Sequence, residues 1–269
     1  MIKTIMDRRS VRSYDGKGLT EEEKLKIRKF ADSVETPFGI KAKYKILEAA
    51  DYGLTSPVLT GVETYIAGKT EVKPYADLSF GYGFEKILLY VIEELGLGTV
   101  WIAGTMNRAA FENAMDLEEN EIMPCMSPLG HTAKKMSVRE TLMRKGVKAD
   151  SRLPYDMLFF EGDFTRPITG VKYGELKECL ETVRWSPSAV NKQPWRVVIS
   201  GNMIHFYEHH DKGYVQPNGM DLQKVDLGIA VCHFDLALGE KNIKHSIAIE
   251  DPGISLPEDT EYICTFILE

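Results

Sequence analysis

Two stretches in the first half of the chain have the hydrophobic and polar patterns of helices. Residues 20–33 (TEEEKLKIRKFADS) place a Thr20–Glu23 capping box and acidic residues ahead of an apolar face, which predicts an amphipathic helix. Residues 77–95 (DLSFGYGFEKILLYVIEEL) are apolar on nearly all sides and predict a buried helix that Gly96 ends. Shorter patterns predict a helix over about 107–115 and strands over 44–48, 63–67, 99–103 and 125–129.

The second half of the chain repeats this order of patterns after a loop at 162–170. Residues 173–185 (YGELKECLETVRW) are similar to 20–33 at an offset of 153 (186 − 33). Residues 226–238 (DLGIAVCHFDLAL) are similar to 77–89 at an offset of 149 (226 − 77). Further strands are predicted over 155–161, 196–200 and 261–268. Two such layouts can arise by chance, but their shared order favours two fused copies of one α+β module.

We therefore expect two repeats, residues 1–161 and residues 162–269. The polar and basic segment 132–152 is predicted to form an arm with some helix near the end of the first repeat. Two copies in one chain commonly reproduce the two-fold interface of a homodimer. Such a chain has no need to dimerise, so we expect a monomer.

The charge balance limits the kinds of partner. The 269 residues carry a formal net charge of −7, which favours neither nucleic acid nor an anionic membrane, so an anionic ligand needs a local basic cluster. The sequence has neither an apolar run of roughly 18 residues nor the apolar core of a signal peptide. Four cysteines without a CxxC pair predict buried thiols rather than a zinc site or disulfides. We expect a cytoplasmic protein with a small-molecule substrate and with neither nucleic-acid nor membrane partners.

The N-terminal segment carries a dense basic cluster, Arg8-Arg9-Ser10-Val11-Arg12. Three guanidinium groups and a hydroxyl within five residues suit a phosphate, because the planar fork of arginine matches phosphate oxygens. In an acidic protein this cluster is a candidate phosphate site. A solvated basic N-terminus explains the same residues equally well.

Two other segments combine residues that suit a flat ligand. The loop 186–195 (SPSAVNKQPW) follows a predicted helix; its prolines stiffen it, and its small residues let a ligand approach the backbone. The segment 96–104 (GLGTVWIAG) is a predicted strand whose Ala103-Gly104 end leaves backbone donors free. An ordinary helix-to-strand loop and a plain core strand are the alternative interpretations.

Together, these three segments resemble the nitroreductase family of FMN-dependent flavoenzymes. Residues 8–12 match the family's RRSxR-like motif, residues 186–195 match its SPSxxNxQPW loop, and residues 96–98 match its GLG turn. The loop is the most specific of the three. The resemblance implies an α+β fold of the nitroreductase type, with three α/β/α layers and mixed sheets.

The family's motifs are divided between the two expected repeats. The first repeat has the basic motif but reads SVETPFG at 33–39, where the loop is expected. The second repeat has the loop but reads FTRPI at 164–168 in place of the basic motif. In ordinary members one subunit carries both motifs, and the flavin lies between subunits. The chain therefore resembles a single-chain, duplicated branch of the family, which implies two fused repeats that imitate the homodimer and one flavin site per chain.

The resemblance also implies which residues bind FMN. Arg8, Arg9 and Ser10 would hold its phosphate and ribityl end. Arg12 would approach the pyrimidine edge, where a cation stabilises the negative charge that reduction adds. The candidates for a further basic residue from the arm are Lys148 and Arg152, with Lys135 as another choice. The remaining implied contacts are Trp101, Ala103 and Gly104 near N5 and O4, and Pro187, Ser188, Ala189 and Asn191 near the dimethylbenzene side.

The implied activity is a two-electron reduction. NADH or NADPH would reduce FMN by hydride transfer, and the flavin would then reduce a nitroaromatic, quinone or similar flat acceptor by a ping-pong mechanism. Chemistry at flavin N5 requires no protein acid or base, so no catalytic residue is assigned. We interpret His209-His210 as surface residues, and no metal site is expected. The alternatives are a flavin carrier or sensor without turnover, and a relative that has lost the cofactor.

Overall fold

A computed structural model describes residues 1–169, 174 and 176–269. The first part of the chain forms α1 (Ile2–Asp7), α2 (Glu21–Ser33), β1 (Lys43–Glu48), α3 (Ala49–Tyr52), β2 (Thr64–Glu71), α4 (Ala76–Leu95), α5 (Arg108–Ala114), β3 (Glu121–Ile122) and β4 (Met126–Leu129). The rest forms α6 (Val138–Gly146), α7 (Tyr155–Leu158), β5 (Phe159–Glu161), α8 (Leu176–Arg184), a 3₁₀ turn (Ala189–Asn191), β6 (Trp195–Ser200), β7 (Met203–His209), α9 (Leu222–Glu240), β8 (His245–Ala248) and β9 (Thr260–Leu268). The α+β class predicted from the sequence is confirmed.

The ends of the first two long helices follow from local side-chain chemistry. The Thr20 hydroxyl accepts a hydrogen bond from the Glu23 amide, and the Glu23 carboxylate accepts one from the Thr20 amide at 2.7 Å. This capping box starts α2 where the sequence predicted. Helix α4 ends at Gly96, whose φ of 63° places it in the left-handed region that glycine adopts without steric cost.

The strands form two sheets. In the first, β2 lies between β1 on one side and β3 and β4 on the other, and all these pairs are antiparallel. The second sheet has the order β5-β6-β7-β9-β8. Strand β5 runs parallel to β6, and the other neighbours are antiparallel, so this sheet is mixed.

Three segments differ from the predicted elements. Residues 155–158 form a helical turn instead of a strand, and this turn places the Tyr155 ring against Phe159, with centroids 4.5 Å apart and the ring planes tilted by 35°. The segment 99–103 is extended but pairs only through isolated bridges, because Thr99 and Ile102 contact different partners. The helix predicted over 173–185 is observed at 176–184, and residues 173 and 175 lie outside the described residues.

Helices cover both faces of the first sheet. Along β2, Ile66 packs into a core with α2 and α4, whereas Tyr65 and Ala67 pack on the other side with Phe111 of α5. Helices α8 and α9 cover the second sheet, and Leu78 from α4 joins that core. The two sheets therefore share a central helical layer formed by α4 and α9. All four cysteines are buried and none forms a disulfide, as the sequence predicted.

Helices α4 and α9 cross at two glycines. A β-carbon at Gly81 would lie 2.1 Å from the Val225 carbonyl oxygen, and one at Gly228 would lie 2.2 Å from the Leu78 carbonyl oxygen. Both positions therefore need glycine for the helices to approach this closely. The contacts are reciprocal, because the interval from Leu78 to Val225 (225 − 78) equals that from Gly81 to Gly228 (228 − 81), 147 residues. Reciprocal contacts are characteristic of a two-fold interface.

Candidate functional site

The N-terminal basic motif is held in an extended conformation. Ser10 bridges to Thr99, the Val11 amide donates to the Thr99 carbonyl at 2.9 Å, and the Tyr14 hydroxyl donates to the Val11 carbonyl at 2.8 Å. Side chains alternate between the two sides of an extended segment. The motif therefore presents Arg8, Ser10 and Arg12 on the side opposite to Arg9.

The two sides of the motif have different partners. Arg9 is 41% exposed and reaches Glu140 of α6 at 3.4 Å, and the Ser13 hydroxyl donates to the same carboxylate at 2.8 Å. Glu140 is buried, so it attaches α6 to the motif. Arg9 thus belongs to a structural ion pair with Glu140, whose charge also acts on Arg12.

Three arginines, Arg8, Arg12 and Arg152, come together on the other side. The Arg8 side chain is 5% exposed, and Arg8 Nε and Nη2, Arg12 Nε and Arg152 Nε have no hydrogen-bond partner among the described residues. Burial lowers the pKa of Arg12; Glu140 opposes this effect, and the charges of Arg144 and Arg8 lower the pKa further. Burial, and then the charge of Arg8, lower the pKa of Arg152 to about 10. A group of guanidinium ions with spare buried donors is a site for an anion.

Of the two candidates from the basic arm, the structure brings Arg152 to this cluster. Its guanidinium carbon lies 4.5 Å from the centroid of the Trp185 ring, and its Nη2 donates to the Trp185 carbonyl at 3.3 Å. The Lys148 side chain is exposed, and the residue contributes its carbonyl group instead. Arg144, which the sequence analysis did not select, has a side chain only 16% exposed that pairs with Asp150.

The loop 186–195 of the second half is anchored on the arm of the first half. The Asn191 side-chain amide donates to the Lys148 carbonyl at 2.9 Å and to the Ser151 carbonyl at 3.1 Å. The Leu153 amide donates to the Gln193 side chain at 2.9 Å. Asn191 and Arg152, which come from different halves of the chain, are therefore parts of one site.

The same loop has a strained backbone. Val190, Asn191 and Gln193 have φ values of 44°, 59° and 54°, in the left-handed region that residues other than glycine seldom occupy. Each such residue costs on the order of 1–3 kcal/mol, and such strain is concentrated at ligand sites. Hydrogen bonds maintain this conformation: the Gln193 amide donates to the Ser188 hydroxyl at 2.9 Å, and the Ala189 amide donates to Asp226 at 3.0 Å. Pro187, Ser188 and Ala189 remain half-buried.

A buried polar network connects the three sequence motifs. Glu85 of α4 accepts a hydrogen bond from the Trp101 indole at 2.6 Å, pairs with His233 of α9 at 2.9 Å, and lies 3.8 Å from Arg8. The other ring nitrogen of His233 is 2.9 Å from the Ser186 hydroxyl. Burial raises the pKa of Glu85, but Arg8, His233 and Trp101 outweigh it and hold the pKa below its ordinary value. Glu85 is therefore an ionised buried carboxylate that orients Arg8 and the start of the loop.

Glu85 and His233 are functional candidates that sequence reasoning missed. Each is a buried titratable residue in a largely apolar helix, within two residues of a charged residue in sequence (Lys86 or Asp235), and a buried charge requires partners. A titratable residue within an apolar helix was therefore the signal present in the sequence, but it does not identify which residue pairs with it.

Ala103 and Gly104 lie at the edge of this arrangement. In the described part of the chain, their hydrogen bonding is limited to Arg108, which donates to the Ala103 carbonyl at 2.5 Å. Gly104 is exposed, and nothing lies within 4 Å of the position that a β-carbon would take. Ala103 and Gly104 therefore border open space. The nearby Trp101 connects this segment to the rest of the site through its hydrogen bond to Glu85.

The fold is α+β, and residues from both parts of the chain form an arginine-lined candidate site. The chain matches the family model described as "Putative TM nitroreductase" over residues 1–238. The chain therefore belongs to this nitroreductase family, a family of oxidoreductases, and the family resemblance found in the sequence is confirmed. Among curated proteins, none matches the chain.

One solved nitroreductase structure shares the fold over nearly the whole chain, and two others align with about half of it. A "putative nitroreductase" from Thermotoga maritima is 20% identical, with a TM-score of 0.63 over 99% of this chain and 93% of that chain. An FMN-dependent nitroreductase from Clostridium difficile is 19% identical, with a TM-score of 0.41 over 54% of this chain and 96% of that chain. A nitroreductase family protein from Clostridium novyi is 19% identical, with a TM-score of 0.41 over 49% and 84%, respectively. Within the described residues, no helix is long and apolar enough to cross a bilayer.

Proposed function

We propose that the chain is an FMN-dependent NAD(P)H oxidoreductase that reduces a flat acceptor such as a nitroaromatic or a quinone. The proposal rests mainly on one observation: buried guanidinium donors without partners among the described residues lie where the loop of the second half meets the arm of the first. The FMN phosphate is an anion that matches these donors, since guanidinium groups bind phosphate oxygens through paired hydrogen bonds. The described residues thus fit this cofactor.

In this proposal each residue of the site has a defined task. Arg8 and Arg152 would bind the phosphate through the donors that are unpaired in the described residues. Arg12 would place its charge at the pyrimidine edge, where it favours the reduced cofactor. Pro187 and Ser188 would form the wall against the dimethylbenzene ring and exclude water there. When bound, FMN would supply the hydride chemistry, accepting from NADH or NADPH and donating to the acceptor.

We further propose one FMN per chain, in a monomer of two fused repeats. The reciprocal crossing of α4 and α9 supports the duplication, because contacts of this kind belong to two-fold arrangements. The basic motif occurs at residues 8–12 and the loop at 186–195, and the corresponding segments 164–168 and 33–39 have neither sequence. A single complete site follows from this distribution.

The first experiment is a titration of the cofactor-free protein with FMN, followed by anaerobic addition of NADH or NADPH. We expect saturable binding and then bleaching of the flavin absorbance. Binding without bleaching would favour the carrier or sensor, and absence of binding would favour a relative that has lost the cofactor.

A matched pair of variants tests the proposed phosphate site. Arg152→Met should weaken FMN binding by about tenfold or more, because a hydrogen bond to a charged group contributes roughly 1.5–3 kcal/mol. Arg28→Met, which removes an exposed arginine of α2, should leave the affinity unchanged. Equal FMN affinity in the two variants would contradict the assignment of Arg152.

A further inference from the structure

A second polar cluster lies at one end of the mixed sheet. Glu208 of β7 and Glu261 of β9 are directly paired across the two strands, so their side chains share one face of the sheet. His210 follows two residues after Glu208 and lies on the same face. Its Nδ1 is 2.9 Å from Glu208 Oε1, and its Nε2 is 3.1 Å from Glu261 Oε2. Two carboxylates therefore lie against one imidazole ring, each nearest to a different ring nitrogen.

Glu208 is unusual within this cluster. Its side chain is fully buried, yet neither carboxylate oxygen has a hydrogen bond to any described residue. The short distance to His210 Nδ1 lacks hydrogen-bond geometry. A buried carboxylate without donors is costly, and two glutamates directly opposite each other repel. Glu208 therefore offers two buried acceptor atoms that suit a cation.

We propose that Glu208, His210 and Glu261 bind a divalent transition-metal ion. Their ligand atoms all lie within 4.8 Å of one another. Zinc binds histidine nitrogen and carboxylate oxygen at about 2.0–2.2 Å, so the ligand atoms of a tetrahedral site lie roughly 3.5 Å apart. Side-chain rotations that move the ligand atoms by roughly 1 Å would bring both carboxylates to an ion held by one nitrogen of His210. This set of one nitrogen and two oxygens suits Zn²⁺ or Mn²⁺.

One of the three proposed ligands faces a cleft. His210 lines a cleft of about 520 Å³ between the start of α4 and the start of α9. Asp77, Asp221 and Lys224 also line this cleft. Three protein ligands leave at least one coordination position for water or for an oxygen ligand in the cleft.

Lys224 is the competing cation in the structure. Its ammonium nitrogen lies 3.0 Å from Glu261 and neutralises that carboxylate in part. A metal ion must displace this ammonium group or share Glu261 with it. Removal of the Lys224 charge should therefore strengthen metal binding, an effect opposite to that of removing a ligand.

Calorimetric titration of the chelator-treated, tag-free full chain with ZnCl₂ tests the proposal. Wild type should bind one Zn²⁺ per chain. Glu208→Gln and His210→Ala should each weaken binding by at least about tenfold, which is 1.4 kcal/mol, and Lys224→Gln should strengthen it. His131→Ala is the control, because this exposed histidine lies beside a single carboxylate, Glu23 at 3.6 Å, and its removal should change nothing.

Two results would overturn the proposal: no saturable Zn²⁺ binding by wild type, or unchanged affinity in Glu208→Gln. If a ligand variant fails to fold, X-ray absorption of zinc-loaded wild type gives the answer. One nitrogen and two carboxylate ligands would support the site, and a shell of water or sulfur would refute it. The readout does not depend on FMN binding, so the two sites can fail separately.

Discussion

The replacement Glu85→Gln removes the charge at the centre of the buried network while keeping the shape of the side chain. Glu85 is fully buried and has Arg8, His233 and Trp101 as partners. The substitution leaves the guanidinium of Arg8, only 5% exposed, without its counter-charge. Breaking a buried pair by removal of one partner costs about 3–5 kcal/mol. This is a large part of the roughly 5–15 kcal/mol that stabilises a typical domain.

Urea denaturation of the cofactor-free protein measures this loss. Glu112→Gln is the matched control, because Glu112 pairs with Arg108 at 3.3 Å but is 34% exposed, and such surface pairs contribute about 0–1 kcal/mol. We expect the Glu85 variant to lose at least about 3 kcal/mol and the control less than about 1. A Glu85→Gln protein within about 1 kcal/mol of wild type would refute the role of this carboxylate.

The same pair predicts a pH dependence. The pKa of Glu85 is held below its ordinary value, chiefly by Arg8 and His233 against the opposing effect of burial. The stability it contributes is therefore present above the pKa of the unfolded chain and is lost as the pH falls through the lower pKa of the folded chain. Glu85→Gln should lack this acid-side loss. If the two proteins lose stability in parallel on acidification, Glu85 is not ionised in the fold.

Three further predictions concern the helix crossing, the site and a buried acid. Gly228→Ala should destabilise the fold by about 1–3 kcal/mol, because its methyl group would lie 2.2 Å from the Leu78 carbonyl oxygen. Gly239→Ala is the control: it has open space around the new methyl group and should stabilise the fold by about 0.5–1 kcal/mol. Thermal unfolding measures both changes. Arg12→Met should make reduction of bound FMN less favourable; an unchanged flavin potential would exclude its assigned position. Burial raises the pKa of Asp77 to about 6, so the free energy of unfolding should fall as the pH rises from 3.8 to about 6. In urea denaturation at several pH values, Asp77→Asn should flatten this dependence on pH. An unaltered dependence would assign it to another group.

The helices could be predicted because their signals are local. Thr20 and Glu23 cap α2 within one turn, and Gly96 ends α4 by its own conformational freedom. Strands β7 and β8 were not predicted. In β7 the buried residues include His205 and Glu208, so the apolar alternation of a strand is absent from the sequence. Its pairing with β9 depends on contacts across the whole second half.

The residues of the candidate site also fall into two groups, those that the sequence could predict and those that it could not. The motifs at 8–12 and 186–195 are contiguous, so sequence alone could locate them. Glu85 and His233 are 148 residues apart, and their pairing depends on the crossing of α4 and α9. Whether Arg152 or Lys148 faces the cluster depends on the direction of single side chains in the arm, which no periodic pattern encodes.

The central proposal is a single FMN site to which both halves contribute, and the most direct measurement is FMN stoichiometry in two tryptophan variants. Ser188→Trp places a large ring in the loop of the second half. Glu35→Trp is the control, because Glu35 is exposed and corresponds to Ser188 in the first half at the offset of 153 (188 − 35). We expect one FMN per chain in wild type and in Glu35→Trp, and none in folded Ser188→Trp. Normal FMN binding by Ser188→Trp, or two FMN per wild-type chain, would contradict the account.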